Sequence, residues 1–323
     1  MSDPPDEFAW IARLRPLTLG DPRALGLMDD AAVLPGRPGF DLVISKDAMV
    51  EGVHFLAGES PGIVARRLIR AALSDLAAKA AEPFGYFLMT AWPDDRDGAW
   101  REAFAQGLAA DGEAFGLALL GGDTVSSPGP LTVCATVLGW TPAGGAVLRS
   151  GARAGDALIV RGPIGDGWLG LRAARGEIAD PDGWLAARYR LPTPLLCLRQ
   201  ALRDHAGAAA DVSDGLLADA GHVAEASGLG LALDLDLLPL SAPAAAWLAG
   251  QGDPAAARLA LATGGDDYAL VCAVDPGSAE AFARAVQRLG VAVASVGWFT
   301  RIAGLAVSAA GAPIAPGRLG WRH

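Results

Sequence analysis

Residues 42–55 read LVISKDAMVEGVHF, and this stretch predicts a strand that ends at a carboxylate. The run from Leu42 to Ser45 is apolar and β-branched, which is typical of a short buried strand. Asp47 follows at the end of that strand. A carboxylate in such a position must be paired with a partner or bound to a metal ion. Asp47 is therefore the first candidate functional residue.

A helix is predicted over residues 62–81, because apolar side chains recur along it with helical spacing. Asp75 interrupts its apolar stripe, so a second carboxylate needs a partner. Strands and helices alternate through the rest of the chain. Further helices are predicted over 8–19, 98–115, 166–175, 183–190 and 278–289, strands over 131–138, 157–161, 231–237 and 269–274, and a strand-to-helix passage over 211–226.

The boundary between two domains is predicted near residue 148. Residues 141–156, TPAGGAVLRSGARAGD, are rich in glycine and alanine and follow the strand predicted over 131–138. A chain of 323 residues suits two cores better than one. Because strands and helices occur in both halves, we expect an α/β (α+β) fold with domains 1–147 and 148–323.

Composition and charge exclude several classes of partner. Apolar residues make up 52% of the chain and charged residues 19%, which is typical of a compact folded protein. The formal net charge of -10 repels nucleic acid and anionic membranes, so we expect neither as a partner. The N-terminus lacks a signal-peptide apolar region, no apolar run reaches roughly 18 residues, and the three cysteines form no CxxC pair. We therefore expect a cytoplasmic protein.

The usual nucleotide-binding and hydrolase motifs are missing, whereas aspartates beside glycine or at turns recur. Neither lysine follows a glycine as a Walker A loop requires, and no Gly-x-Ser-x-Gly elbow or zinc spacing occurs. The recurring carboxylates are Asp29, Asp30, Asp47, Asp75, Asp123, Asp211, Asp214, Asp266 and Asp267. Taken singly, each is also compatible with a turn or a helix cap. Together they suit Mg²⁺, which binds carboxylates and phosphate oxygens, so the residues alone indicate a magnesium–phosphate site.

The ordered motifs resemble those of the thiamine-monophosphate kinase family. They are DDAAVL at 29–34, SKDAMVEGVHF at 45–55, LSDLAAKAAEP at 73–83, GGDTVSSPGPLTV at 121–133, LRSGARAGD at 148–156, DVSDGLLADAGH at 211–222 and GGDDYAL at 264–270. The resemblance implies the aminoimidazole ribonucleotide synthetase-like fold, with an N-terminal domain that binds metal and ATP and forms a homodimer, and a C-terminal α/β domain. It also implies phosphoryl transfer from ATP to thiamine monophosphate with several Mg²⁺ ions.

Carried over by position, the resemblance assigns roles to individual residues. The magnesium positions are Asp30, Ser45, Lys46, Asp47, Asp75, Asp123, Asp211 and Asp214. The ATP positions are Gly122, Asp123, Arg149 and Ser213, and the substrate positions are His54, Asp266 and Trp321. The acceptor phosphate is already an anionic nucleophile. We therefore expect positioning and charge neutralisation by metals, with no residue acting as acid or base.

Three of these residues also have purely structural interpretations. Arg149 follows a strand beside a glycine-rich turn, which suits either a phosphate clamp or a solvated loop arginine. His54, between two apolar neighbours, is compatible with a core histidine. Trp321 is compatible with a terminal packing anchor.

Four positions depart from the family pattern: Met28 replaces glycine, Lys46 threonine, Lys79-Ala80 Met-Gly, and Asp266 glutamate. Both lysines of the chain fall in magnesium motifs, so we hypothesise that one ammonium group partly replaces a magnesium ion. Two other interpretations stay open because of these changes. One is an enzyme of the same fold with a different acceptor, and the other is a non-catalytic nucleotide-binding paralogue.

Overall fold

The computed structural model describes residues 7–290 and 292–321, and the chain divides into two compact units. The first unit comprises the chain up to Leu76 together with Ala81–Gly144. The second unit comprises Ala77–Ala80 and the chain from Gly145 onward. The division falls inside the glycine-rich segment 141–156, a few residues before the boundary predicted at 148.

The first unit combines a small sheet with helices. Its strands are β1 (Phe40–Val50), β2 (Glu82–Trp92), β3 (Ala118–Ser126) and β4 (Thr132–Pro142). Its helices are α1 (Glu7–Leu14), α2 (Pro61–Ala78), which reaches the division between the units, and α3 (Gly98–Phe115); 3₁₀ turns occupy Arg15–Thr18 and Pro22–Leu27. The helices predicted over 62–81 and 98–115 are confirmed.

The sheet of the first unit has the strand order β1-β4-β2-β3. β4 pairs antiparallel with β1 and β2, whereas β2 pairs parallel with β3. The strand predicted over 131–138 is thus β4, one of the two central strands, and most of its residues are buried. Successive side chains of each strand point to opposite faces, and this alternation decides which polar residues share a face.

The prediction for β1 is wrong in two respects. The strand runs to Val50, so Asp47 lies inside it rather than at its end. β1 is also an edge strand, and its Leu42 and Ile44 are 39% and 58% exposed rather than buried. An apolar, β-branched run does not distinguish a buried strand from an edge strand, because both favour the same residues.

The second unit contains a larger sheet. Its strands are β5 (Ala157–Arg161), β6 (Ala206–Val212), β7 (Gly230–Asp234), β8 (Ala269–Val274), β9 (Val293–Thr300), β10 (Gly304–Ala309) and β11 (Ala312–Ile314). Its helices are α4 (Asp166–Ala174), α5 (Trp184–Arg190), α6 (Arg199–His205), α7 (Leu216–Ala226), α8 (Ala242–Ala249), α9 (Pro254–Thr263) and α10 (Ala279–Gln287). β5 and β8 match their predictions, but the strand predicted over 231–237 ends at Asp234, where a 3₁₀ turn (Leu235–Leu237) begins.

The sheet of the second unit has the order β11-β10-β7-β9-β5-β8-β6 and is covered on both faces. Along β8, Val271 and Ala273 pack with α7, whereas Leu270, Cys272 and Val274 pack with α6 and α10. This alternation places one apolar layer on each face of the sheet. The mixed fold predicted for both halves is confirmed.

Several helix ends follow from local sequence. Asp97 caps α3 by accepting the backbone N–H of Trp100 at 2.8 Å, and Gly116 ends it with a φ of 62°. Asp253 caps α9 by accepting the N–H groups of the next helical turn at 3.1 and 3.0 Å. Such caps satisfy amides that have no partner within the helix.

No helix within residues 7–290 and 292–321 combines the length and apolar character that crossing a membrane requires. The three cysteines are free thiols, with Cys134 and Cys272 buried and Cys197 exposed.

Candidate functional site

A pair of carboxylates lies where β1 meets α2 in the first unit. Asp47 on β1 interacts electrostatically with Asp75 on α2, and the hydroxyl of Ser45 donates a hydrogen bond to Asp75 Oδ2. Burial, and then the charge of Asp75, raise the pKa of Asp47 to about 6. Two half-buried carboxylates that repel each other favour a bound cation, which offsets both desolvation and mutual repulsion. Oxygen ligands of this kind fit Mg²⁺.

The sheet register places other predicted site residues on its opposite face. Asp47 is opposite Ala135 of β4, whereas Asp123 of β3 is opposite Met89 of β2, which is in turn opposite Cys134 of β4. Ala135 and Cys134 are neighbours on β4, so their side chains point to opposite faces. Asp47 and Asp123 therefore lie on different sides of the sheet.

A cavity of about 540 Å³ lies in the first unit on the side of Asp123. Asp29, Asp30, Lys46 and Asp123 line it, together with apolar residues of α1 and β2. Lys46 precedes Asp47 on β1 and so faces away from the Asp47–Asp75 pair, toward the cavity. The structure thus places two predicted magnesium positions, Asp30 and Asp123, on the same cavity as Lys46, which replaces the threonine of the family pattern.

No group of three or more histidine, cysteine, aspartate or glutamate side chains converges as a metal site within residues 7–290 and 292–321. In the first unit the predicted carboxylates form two sets, the Asp47–Asp75 pair and the cavity residues Asp30 and Asp123. In the second unit, Asp211 and Asp214 lie at the end of β6 and in the turn that follows it. The roles of these residues as metal ligands stay predictions.

Gly122, a predicted ATP position, is required by the close approach of two strands. A Cβ atom built at Gly122 would lie 1.9 Å from the carbonyl oxygen of Leu88 on β2. No other residue fits there without displacing β3, so packing alone accounts for this glycine.

His54 lies in a tight turn directly after β1. The backbone N–H of Val50 donates to its Nδ1 at 3.1 Å, and buried Arg67 donates from Nε to its carbonyl oxygen at 3.2 Å. Glu51 of the same turn accepts two bonds from Arg96, at 2.8 and 2.7 Å. A backbone amide can only donate, so Nδ1 carries no proton and the ring proton is on Nε2. His54 is therefore a hydrogen-bond donor through Nε2, and it is not a buried core residue.

In the second unit, the turn DVSDG at 211–215 is held by a side chain that the sequence analysis did not single out. Asp219, in the first turns of α7, is 2% exposed, and its Oδ2 accepts the N–H groups of Ser213 and Asp214 at 3.0 Å and of Gly215 at 3.2 Å. Burial raises the pKa of Asp219 to about 7, and these amides oppose that rise.

The GGDDY turn at 264–268 packs beside DVSDG. The N–H of Asp266 donates to the carbonyl oxygen of Ser213 at 2.8 Å, and Asp266 itself has a φ of 70°. Asp267 is buried and accepts the N–H groups of Gly165 and Gly167 at 2.7 and 2.8 Å. Burial raises the pKa of Asp267 well above its usual range, against these two bonds. Asp267 thus anchors the turn that presents Asp266.

The C-terminal segment and Arg149 lie near the DVSDG and GGDDY turns. The N–H of Trp321 donates to the carbonyl oxygen of Asp214 at 2.8 Å, and its side chain is 51% exposed. The carbonyl oxygen of Arg149 accepts the hydroxyl of Ser227 at 3.2 Å, and the charge of its guanidinium acts on Asp219. The second unit therefore brings together five predicted site residues: Arg149, Ser213, Asp214, Asp266 and Trp321.

Lys79 does not fit the hypothesis that its ammonium group replaces a magnesium ion. Its Nζ donates to the carbonyl oxygens of Val147 at 3.0 Å and Ala209 at 2.8 Å, all within the second unit. Ala80 follows with a φ of 56°, a conformation that suits the glycine of the family pattern. Lys79 therefore links Val147 to Ala209 of β6 through hydrogen bonds. The hypothesis that an ammonium group partly replaces a magnesium ion then applies to Lys46 alone.

Sequence reasoning missed Asp219, and it named Asp267 as a candidate carboxylate without predicting its supporting role. Both lie inside quoted motifs, DVSDGLLADAGH and GGDDYAL. The partners of Asp267 lie 102 and 100 residues away, whereas those of Asp219 lie four to six residues before it. An aspartate in the first turn of a helix after a glycine was the available signal for Asp219.

Both units of the chain match known protein domains. Residues 28–141 match the family described as AIR synthase related protein, N-terminal domain, and residues 153–308 match the corresponding C-terminal domain. Thiamine-monophosphate kinase of Caulobacter vibrioides is 59% identical over 321 residues, which cover 99% of this chain and 91% of that protein.

Solved structures show the same fold. Thiamine-monophosphate kinase from Stenotrophomonas maltophilia K279a superimposes with a TM-score of 0.83 at 33% identity, covering 95% of this chain and 98% of that one. AaThiL complexed with AMPPCP and TMP gives a TM-score of 0.76 at 26% identity, covering 97% and 96%. With both domains matched and identity sustained over nearly the whole length, the chain belongs to the thiamine-monophosphate kinase family of AIR synthase related proteins.

Proposed function

We propose that this chain transfers the terminal phosphoryl group of ATP to the phosphate of thiamine monophosphate, which yields thiamine diphosphate and ADP. The observation that carries the proposal is the 59% identity, over 99% of the chain, to a thiamine-monophosphate kinase. The likeness to AaThiL, whose structure holds AMPPCP and TMP, supports it. AMPPCP stands in for ATP, with a methylene group where ATP has the oxygen that bridges its β- and γ-phosphates.

Magnesium fits the donor set of the first unit. Asp47 and Asp75 would hold one ion, because the raised pKa of Asp47 marks a site where a cation lowers the free energy of the charged pair. Asp30 and Asp123, on the cavity, would hold another. When bound, the ions neutralise negative charge on the phosphate groups during transfer. Ser45 keeps Asp75 oriented through its hydroxyl.

Asp211 and Asp214 of the second unit are the remaining proposed metal ligands. The backbone N–H and carbonyl of Asp214 are both used within the protein, by Asp219 and Trp321. The carboxylate is therefore the group through which Asp214 is proposed to bind a ligand. The same holds for Ser213, whose amide bonds Asp219 and whose carbonyl bonds Asp266, so its hydroxyl is the proposed ATP contact.

Arg149 and His54 are proposed to contact phosphate groups. The guanidinium of Arg149 can donate two parallel hydrogen bonds to phosphate oxygens. His54, whose Nδ1 accepts the N–H of Val50, is proposed to act as a hydrogen-bond donor to an anionic substrate rather than as a general base. Asp266 and Trp321, beside the DVSDG turn, are proposed substrate contacts. The acceptor phosphate needs no base to ionise it, so positioning and charge neutralisation carry the catalysis.

We also propose that the protein is a cytoplasmic homodimer. β1 is an edge strand with exposed Leu42 and Ile44, and such an edge favours pairing with a second chain. The free thiols suit a reducing compartment. Light scattering of the purified protein tests the dimer, and an active monomer at micromolar concentration contradicts it.

Incubation with ATP, Mg²⁺ and one acceptor at a time tests the proposed reaction. Thiamine monophosphate should yield thiamine diphosphate, and free thiamine should be a poor acceptor because it lacks the attacking phosphate. Product on another acceptor only would favour a different enzyme of this fold. ATP binding without turnover on any acceptor would favour a non-catalytic paralogue.

A further inference from the structure

The turn formed by residues 211–215 is closed by one carboxylate oxygen. Asp219 Oδ2 accepts three consecutive backbone amides, those of Ser213, Asp214 and Gly215, at 3.0, 3.0 and 3.2 Å. Successive amides that converge on one oxygen form a nest, an arrangement that elsewhere binds anions such as phosphate. Here the anion is supplied by the protein itself. These three amides are therefore not available to a nucleotide phosphate.

Two carbonyl oxygens of the turn also accept backbone hydrogen bonds. The carbonyl oxygen of Ser213 accepts the N–H of Asp266, and that of Asp214 accepts the N–H of Trp321, both at 2.8 Å. The backbone of these two residues is thus bonded on both sides. Their side chains, a hydroxyl and a carboxylate, are what the turn presents to a ligand.

Neighbouring backbone packs closely against the turn. Gly215 has a φ of 121°, and a Cβ there would lie 2.9 Å from the backbone of Thr263. A Cβ at Gly265 would lie 2.6 Å from the carbonyl oxygen of Ser213. The carboxylate of Asp219 is 2% exposed, so water does not readily replace it as the acceptor of the three amides.

We propose, on the basis of the ATP-dependent function above, that Asp219 is a positioning residue for the nucleotide. It holds the 211–215 turn so that the Ser213 hydroxyl and the Asp214 carboxylate are preset for ATP and its metal ion. Asp219 itself contacts neither. Without it, these three backbone amides lose their acceptor, and binding of ATP has to order the turn.

The test compares Asp219→Ala and Asp219→Asn with a cap elsewhere in the second unit. Asp253→Ala is the matched control, because Asp253 also accepts backbone amides at a helix start but is exposed and lies outside the proposed site. Calorimetric titration of each full-length variant with AMPPCP and Mg²⁺ measures affinity, thermal melting measures folding, and steady-state assays give kcat and KM for ATP.

For Asp219→Ala we expect the Kd for AMPPCP to rise about tenfold, because binding then has to order one or two residues of the turn. We expect kcat/KM to fall about 100-fold. Asp219→Asn keeps an acceptor oxygen and should recover most of both losses. Asp253→Ala should melt earlier without any change in Kd or KM.

Two results would overturn the proposal. One is a folded Asp219→Ala protein with wild-type Kd and KM. The other is an Asp253→Ala or Asp219→Asn protein that loses as much affinity as Asp219→Ala, since the effect would then be general destabilisation or charge loss. Wild-type protein that binds AMPPCP but does not phosphorylate thiamine monophosphate contradicts the proposed acceptor, and the binding test of Asp219 remains decisive.

Discussion

Asparagine at position 75 would remove one charge of the Asp47–Asp75 pair and keep the size of the side chain. The Ser45 hydroxyl that donates to Asp75 Oδ2 can donate to the amide oxygen instead. We expect two opposite effects. Asp75→Asn should lose most Mg²⁺-dependent phosphoryl transfer. The Mg²⁺-free protein should become more stable, because the variant lacks the repulsion between the Asp47 and Asp75 carboxylates, which only a bound metal ion offsets.

The size of the stability gain follows from the pKa of Asp47. Burial, and then the charge of Asp75, raise that pKa from 3.8 to about 6. A rise of this size corresponds to at most about 3 kcal/mol, and Asp75 contributes the smaller share. We therefore expect Asp75→Asn to raise the free energy of unfolding by about 1 kcal/mol at alkaline pH, a few degrees in melting temperature.

Differential scanning calorimetry with and without Mg²⁺, paired with turnover assays, measures both effects. Asp95→Asn is the control, because Asp95 also loses one negative charge but its side chain is 71% exposed and pairs with Arg96. The control should change neither the Mg²⁺ response nor turnover. Near-normal turnover of Asp75→Asn at saturating Mg²⁺, or a lower melting temperature in its absence, would refute the reasoning.

Three further predictions concern pH, the unusual lysine and a crowded glycine. Without Mg²⁺, the free energy of unfolding should fall as pH rises from about 4 to about 6, because the folded chain holds the Asp47 proton more tightly than the unfolded chain does. Denaturant titrations should show this slope reduced in Asp47→Asn, and equal slopes contradict the assignment. Lys46→Thr should steepen the dependence of rate on free Mg²⁺, since Lys46 lies on the cavity with two predicted metal positions; superimposable titrations would end the ammonium hypothesis. Gly167→Ala should destabilise the protein by about 1–3 kcal/mol, because its Cβ would lie 2.3 Å from the backbone of Asp266, whereas Gly221→Ala, with open space in α7, should stabilise it slightly. Thermal melts that rank the two alanine variants the other way contradict the packing.

Regular elements with clear periodicity could be predicted from the sequence, and irregular ones could not. α3 and β8 match their predicted limits because helical spacing and a β-branched run mark them. β3 was missed because Gly121, Gly122 and Asp123 interrupt its pattern. The structure explains the interruption at Gly122, where the neighbouring strand approaches too closely for a side chain.

Individual site residues were predictable, but their grouping was not. Asp47 and Asp75 stood out as carboxylates among apolar neighbours, and the structure places them together. Nothing in the spacing of the chain indicates that Asp123 lies on the other face of the sheet, because that depends on a register between three strands. Asp219 was missed because its partners are backbone amides. Every residue except proline carries such an amide, so no residue type in the sequence marks these partners.

The proposed function is synthesis of thiamine diphosphate, with the Asp47–Asp75 pair holding a magnesium ion. The most direct measurement follows thiamine diphosphate by liquid chromatography after wild-type and Asp75→Asn proteins are incubated with ATP, Mg²⁺ and thiamine monophosphate. We predict Mg²⁺-dependent product with the wild type, and little with Asp75→Asn at any Mg²⁺ concentration. Absence of product with folded wild-type protein, or equal product from both proteins, would contradict the claim.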